Sequence, residues 1–365
     1  MNAVHGLVYR HRRIAKQAIA AANRVLPLAL ARRLRMLAEQ VAFRVVPAYQ
    51  GETLPPIFHY WSGSRLAPWL AESGLSSPED LYFTESLKRA RELGGQVRIA
   101  SFGAGACSLE LSLAAALCEH GVSPEIECVD LNASLLDSAR ARADALGLAD
   151  RMRFTVADCN RPLARVGLDV IVVNQFFHHV EDLETFCNTL RAALAPDGVL
   201  LTSDIVGRNG HVPWPAVDRV VQAHWQDLPQ ARTRDRHFGN KVQRRYVAVN
   251  HAAYSNEGVH AQDVVACLAQ SFDFETFLTF GAAIIPFVER RIGFNFDRDD
   301  AADRDFINRV ADADEAAIAS GAYPASNMVA TLRHRGRARN SRFDPVSPGR
   351  HVEMTREQLA LARTG

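Results

Sequence analysis

The chain has 365 residues, 48% hydrophobic and 23% charged, a balance that supports a sizeable buried core and excludes a disordered or fibrous chain. A formal charge of +1 excludes a global attraction to nucleic acid or to acidic partners. The six cysteines (Cys107, Cys118, Cys128, Cys159, Cys187 and Cys267) form no C-x-x-C pair and have no histidines at zinc spacing, so reduced thiols and a cytoplasmic location are expected.

Residues 1–50 carry nine Arg or Lys against Glu39 alone and read as a basic N-terminal helical arm, broken near Pro27, with Leu28, Leu30, Leu34 and Leu37 on one face. Two readings stay open: an arm packed on the body, or a surface helix making peripheral contact with anionic lipid. The apolar stretch 25–31 is too short for a signal peptide or a bilayer span. Residues 51–63, rich in Pro, Gly and aromatics, read as a linker or pocket-lining loop, and 51–95 as a linker plus a covering helix at 78–95. Tyr60 and Trp61 are candidates to stack on a substrate ring or sugar face, or to anchor the arm to the core.

From residue 96 short apolar strands alternate with helices of about a dozen residues. Strands are expected at 97–102, 126–129, 153–156, 170–173 and 199–203, with helices at 108–119, 134–146 and 183–194. This rhythm predicts an α/β fold, a three-layer, mostly parallel sheet with helices on both faces. Residues 207–260 break the rhythm and read as an inserted helical lid with its own helix near 214–226. A helix at 261–270, a strand at 274–280, helices to about 320 and a strand at 328–332 complete a domain over 96–334. Residues 335–365, Arg-rich and containing Pro345 and Pro348, read as an extended C-terminal tail.

The first strand runs into Phe102-Gly103-Ala104-Gly105. Glycines there let the backbone turn sharply and let a ligand approach the main chain. Asp130 closes the second strand, 25 positions after Gly105, where a carboxylate can accept both ribose hydroxyl protons. Asp158, in Val-Ala-Asp-Cys, follows the third strand and is placed to read an adenine amino group. Each acid alone is equally a helix cap or a solvated turn; the three features fall in order at three successive strand ends.

In ASFGAG (100–105), ECVDLN (127–132), VADCN (156–160) and IVVNQFFHHVEDLETFCNTLRAALAPDGVLLTSD (171–204), the chain resembles the class I S-adenosylmethionine-dependent methyltransferases. It is further similar to a bacterial subgroup with an IGRNGH-like stretch, here 206–211, some of whose members appear with polysaccharide or natural-product genes. The resemblance implies a Rossmann-like fold and S-adenosyl-L-methionine as cofactor. It also implies methyl transfer to oxygen, less readily nitrogen, of a small molecule or glycan, with no nucleic acid partner. It places Phe102, Gly103, Ala104, Gly105, Asp130, Leu131, Asp158, Cys159, Asn174 and Gln175 around the cofactor. Two positions depart from the family: Ser101 stands where an acid is usual, and Cys107 where a third glycine is. A nicotinamide-binding protein is one rival; another is a cofactor-binding protein of this fold turned to non-methylating chemistry or scaffolding.

The fourth strand end, Asn174-Gln-Phe-Phe-His178-His179, faces the sulfonium in the resembling family. His178 matches the base of its plant O-methyltransferase branch, and a structural histidine is the alternative. A neutral imidazole suits deprotonation of a hydroxyl. His179 and His211 are the further catalytic candidates, and His224, Arg236, His237 and His251 are polar groups of the insertion with less claim. No ordered Asp/Glu/His set in the sequence suggests a metal site.

Overall fold

The computed structural model describes residues 54–161 and 166–364, so the arm read over 1–50 lies outside the described residues. Helical pieces α1 (Pro56–Trp61), α2 (Ala67–Ala71) and α3 (Asp80–Glu92) come first. The expected alternation follows: β1 (Gln96–Phe102), α4 (Ser108–Glu119), β2 (Ser123–Asp130), α5 (Ala133–Ala145), β3 (Met152–Val156), β4 (Leu168–Asn174), α6 (Leu183–Ala193) and β5 (Leu194–Ile205). The insertion holds α7 (Pro215–Gln226) and a short hairpin, β6 (Arg234–Asp235) and β7 (Lys241–Val242). After it come α8 (Val264–Ser271), β8 (Asp273–Phe280), α9 (Ile285–Val288), α10 (Ala301–Ala319), β9 (Asn327–Arg333), β10 (Arg342–Asp344) and α11 (Pro348–Thr364).

Eight strands form one sheet in the order β10-β8-β9-β5-β4-β1-β2-β3. Only β9 runs against its neighbours, β5 and β8. The chain leaves β1 through β2 and β3 on one side and returns to β4 on the other. That reversal opens a crevice at the carboxyl ends of β1 and β4, where open α/β sheets bind ligands.

Alternation along the strands sends side chains to both faces. Val97, Ile99, Val170, Val172 and Leu201 join one core cluster with Leu111, Ala114 and Leu117 of α4. Ala100, Phe102, Ile171, Val173 and Leu200 join the other, with Leu183, Phe186 and Leu190 of α6. A strand buried on both faces needs an unbroken apolar run, which is what residues 170–173 supply.

Two readings of the sequence are corrected. Residues 51–63 are not a loop throughout: Pro56 starts a helix, a position proline favours, and Ile57 and Trp61, four apart, are buried on one face. The composition suggested a linker, while the i,i+4 pair held the helical signal. The tail is likewise not extended. β10 adds to the sheet edge beside β8, and α11 packs on α7 and α8. Pro348 occupies the first turn of α11, and His351, Met354, Thr355 and Gln358 form its buried face. Residues 335–364 therefore share the sheet and core of the 96–334 unit.

His351 gives this helix a pH-dependent hold. Its ring packs edge-on to Phe277 at 5.7 Å, and burial pushes its pKa down to about 4. The unfolded chain takes up a proton below about pH 6.5, whereas the folded chain resists until about 4. Stability is thus full above about 6.5 and falls as pH drops toward 4, by up to about 3 kcal/mol. Urea unfolding at pH 7.5 and 5.0 should show this loss reduced in His351→Phe. Equal losses in both proteins would refute the assignment.

Candidate active site at the strand ends

The turn after β1 needs its glycines. Gly103 has φ +73°, and a Cβ there would stand 2.1 Å from Cγ of Phe176, so that ring lies directly on bare backbone. Gly105 has φ +53° and open space where a Cβ would project. Cys107, in place of the family's third glycine, also adopts a left-handed φ of +55°. Without glycine's freedom, that conformation costs Cys107 about 1–2 kcal/mol.

Asp130 links two strand ends. Its Oδ2 accepts from Gly105 N and its Oδ1 from Asn132 N, both at 2.8 Å. Leu131 beside it is 37% exposed, an apolar surface next to the acid. Asp158 Oδ1 accepts from the backbone and side-chain nitrogens of Asn160. Asn160 Oδ1 in turn accepts from Glu181 N and Asp182 N, tying the loop after β3 to that after β4. The Cys159 thiol, buried between Asp130 and Asp158, is pushed up to about 12 by burial and by those two charges.

The acid absent from β1 arrives from a helix. Ser101 Oγ donates to Oε1 of Glu110 at 2.6 Å, and that glutamate on α4 is buried. Burial raises its pKa against the lowering effect of the Ser101 bond. Its Oε2 finds no hydrogen-bond partner in another described residue. Sequence reasoning missed Glu110, although an acid inside the apolar run SLELSLAAAL was a usable signal.

At the end of β4, Asn174 Oδ1 accepts from the Tyr82 hydroxyl at 3.0 Å, and that hydroxyl accepts from Ser203 N. Gln175, at φ +50°, turns its side chain to the Ser203 carbonyl. Helix α3 thus fixes the ends of β4 and β5 through one buried tyrosine.

Beyond them the histidines meet. His178 is buried, and its Nδ1 is bound to Oδ1 of Asp204 at 2.6 Å. Asp204 has no exposure; its Oδ2 accepts from Phe176 N and Phe177 N, and its Oδ1 also from Ile205 N. On the other side, Oε1 of Glu257 lies 3.4 Å from His178 Nε2 and 2.8 Å from His211 Nε2. Oε2 of Glu257 lies 3.5 Å from His179 Nε2. Burial opposes a charge on His178, but Asp204 and Glu257 overcome it and raise the pKa to about 9. Burial and the neighbouring His178 charge push His179 down to about 4. Burial would raise Glu257, yet hydrogen bonds from His178 and His211 hold its carboxyl well below the usual range.

A pair of facing turns brings Glu257 to this place. Gly210 N donates to Gly258 O at 2.8 Å, and a Cβ on Gly258 would stand 2.9 Å from the His211 ring and 3.0 Å from Gly210 N. Only glycine lets the 257–258 backbone lie that close to the 209–211 turn. His211 itself is held at φ +58°. Asn209 and Gln262 lock the same turns through reciprocal backbone–side-chain bonds.

The sequence offered His178, His179 and His211 as catalytic candidates, and the fold brings their rings together, His178 lying 4.2 Å from His179 and 5.4 Å from His211 between centroids. It missed Asp204 and Glu257, and it saw no metal set where the fold gathers His178, His211 and Glu257 with ligand atoms within 4.8 Å of one another. Tyr60 and Trp61 both pack on the body of the protein, while the arm that one reading had them anchor lies outside the described residues. Trp61 is buried in the core, and the Tyr60 hydroxyl shares a hydrogen bond with Asn308 of α10. Among the described residues no helix is long and apolar enough to cross a membrane.

Residues 101–200 match a family model described as a methyltransferase domain. No curated protein matches the chain. Among solved structures, it is similar to the CMeT domain of the citrinin polyketide synthase, with 23% identity over 38% of this chain and 39% of that one, TM-score 0.31. A SAM-dependent methyltransferase from Aquifex aeolicus is 20% identical over 35% of this chain and 68% of that one, TM-score 0.28. An O-methyltransferase from a trans-AT PKS multienzyme of Brevibacillus brevis, in complex with S-adenosyl-L-homocysteine, is 11% identical over 85% and 90%, TM-score 0.41.

Proposed function

We propose that this chain, which carries a methyltransferase domain at residues 101–200, moves a methyl group from S-adenosyl-L-methionine to an oxygen, less readily a nitrogen, of a small-molecule or glycan acceptor. The observation that carries the reading is convergence. The glycine turn, Asp130 and the buried His178–Asp204 pair come from the ends of β1, β2, β4 and β5 to one crevice.

The residues fit the cofactor by chemistry. Asp130, already oriented by two backbone amides, offers its carboxylate to ribose hydroxyls. Leu131, Asp158 and Cys159 border the adenine. The orphaned, buried Oε2 of Glu110 suits a cationic amino group, doing from α4 what the family's acid does from β1. When bound, the cofactor supplies a methyl group on a cationic sulfur, open to in-line displacement. The chain's part is chiefly to align and desolvate the acceptor, which is worth about 7–11 kcal/mol. His178, with Nδ1 fixed on Asp204 and its pKa raised to about 9, takes the acceptor's proton on Nε2 once its own has left, so turnover rises with pH toward about 9. Such assistance adds about a hundred- to ten-thousand-fold.

Calorimetric titration with S-adenosylmethionine, S-adenosylhomocysteine and NAD tests the reading, alongside an acceptor panel scored by S-adenosylhomocysteine release. Micromolar binding of the first two is expected. Asp130→Ala should weaken it by about 2–4 kcal/mol, roughly 30- to 1,000-fold, as hydrogen bonds to a charged group are lost. Binding of NAD alone would overturn the function and leave the fold unchanged.

A further inference from the structure

We infer that His178, His211 and Glu257 form a binding site for one divalent first-row transition cation, of the zinc or iron(II) class, on the acceptor side of the crevice. The inference rests on the methyl-transfer reading for the site's role beside an acceptor, and on geometry alone for the binding itself.

The three residues come from three separate stretches, the turn after β4, the 209–211 turn and the 255–258 loop, and each offers one ligand atom within 4.8 Å of the other two. Ligands about 2.0–2.2 Å from a cation stand roughly 3.0–3.4 Å from one another. Oε1 of Glu257 is 3.4 Å from His178 Nε2 and 2.8 Å from His211 Nε2, so small shifts would seat an ion. Two imidazoles and one carboxylate suit zinc or iron(II); magnesium and calcium prefer all-oxygen sets.

The surroundings have the features of a built site. Asp204 holds the outer nitrogen of His178, the carboxylate–histidine arrangement that orients metal-binding imidazoles. Four backbone and side-chain donors converge on that one carboxylate, so its position is fixed. His211 is held by a left-handed backbone between glycine contacts, which a mere surface histidine would not need. With side-chain exposures of 20% and 36%, His211 and Glu257 are open to solvent, which gives an ion a way in.

Metal-stripped full-length protein titrated with Co²⁺, with Zn²⁺ as competitor, tests the inference. One equivalent of cobalt is expected to bind, with visible ligand-field absorption that zinc abolishes. His211→Ala and the near-isosteric Glu257→Gln should each weaken cobalt binding by more than about a hundredfold, beyond the 10- to 100-fold of an outer-shell loss. Retained S-adenosylmethionine binding shows that the variants are folded. No saturable cobalt uptake, or uptake unchanged in both variants, overturns the site. Absent cobalt with S-adenosylmethionine binding and turnover intact removes the cation and leaves the methyltransferase. Stoichiometric cobalt without S-adenosylmethionine binding does the reverse.

Discussion

Replacing His178 by asparagine is expected to lower kcat about a hundred- to ten-thousand-fold while leaving S-adenosylmethionine affinity unchanged. Asparagine is the informative choice because its amide nitrogen stands close to where Nδ1 stands, so Asp204 keeps a donor and the buried carboxylate is not left unpaired. Only Nε2 is lost, the atom that faces Glu257 and carries both proposed roles, base and cation ligand. Residual turnover is expected, since alignment by the rest of the crevice survives. The measurement is steady-state methyl transfer to whichever acceptor the release screen returns, beside calorimetry with the cofactor. A variant with full kcat would remove His178 from the chemistry and leave it a structural link between β4 and β5.

Asp204 should show the largest effect on stability. Removing its side chain in Asp204→Ala leaves Phe176 N, Phe177 N and Ile205 N without their acceptor and His178 without its buried partner, at a cost of about 3–5 kcal/mol. Asp204→Asn is expected to fail almost as badly, for a geometric reason. Both carboxylate oxygens accept, Oδ2 from two backbone amides and Oδ1 from Ile205 N and His178 Nδ1. An amide has one acceptor oxygen, so either orientation points its NH₂ at donors. Urea unfolding of both variants checks this, and a loss below about 1 kcal/mol in either would mean that the network relaxes around the change.

Both experiments concern residues that differ in how far the sequence disclosed them. His178 stood out because a pair of histidines after an apolar strand is a local pattern. Asp204 is equally close to a strand end, but the single acid that closes LLTSD carries no local mark. Its value comes from the β4–β5 pairing, which sets Asn174 opposite Ser203 and so brings the turn amides of 176–177 over its carboxylate. Glu257 was less legible still. It lies 46 residues beyond His211, in a segment whose only signal was a break in rhythm. The Ser101 departure shows the same thing in reverse. One position of the motif held a serine in place of an acid, and the fold brings the carboxylate of Glu110, nine residues later on a helix, against it.

Local regularities in the sequence disclosed strands β1–β5 with their helices, and the glycine turn and acids at the strand ends. Those features depend on short-range regularities: apolar runs of strand length, helices of a dozen residues, glycines at a left-handed turn and an acid at a fixed distance beyond. Local misreadings arose where composition and periodicity disagreed, as in α1 and α11, where prolines began helices whose buried faces recur every three or four residues. The histidine–carboxylate cluster, by contrast, is a product of tertiary packing. Its residues come from the turn after β4, the end of β5, the 209–211 turn and the 255–258 loop, and their meeting depends on strand pairing and on two glycines that let separate turns touch. Contacts of that kind depend on where distant segments pack, and no spacing along the chain records them.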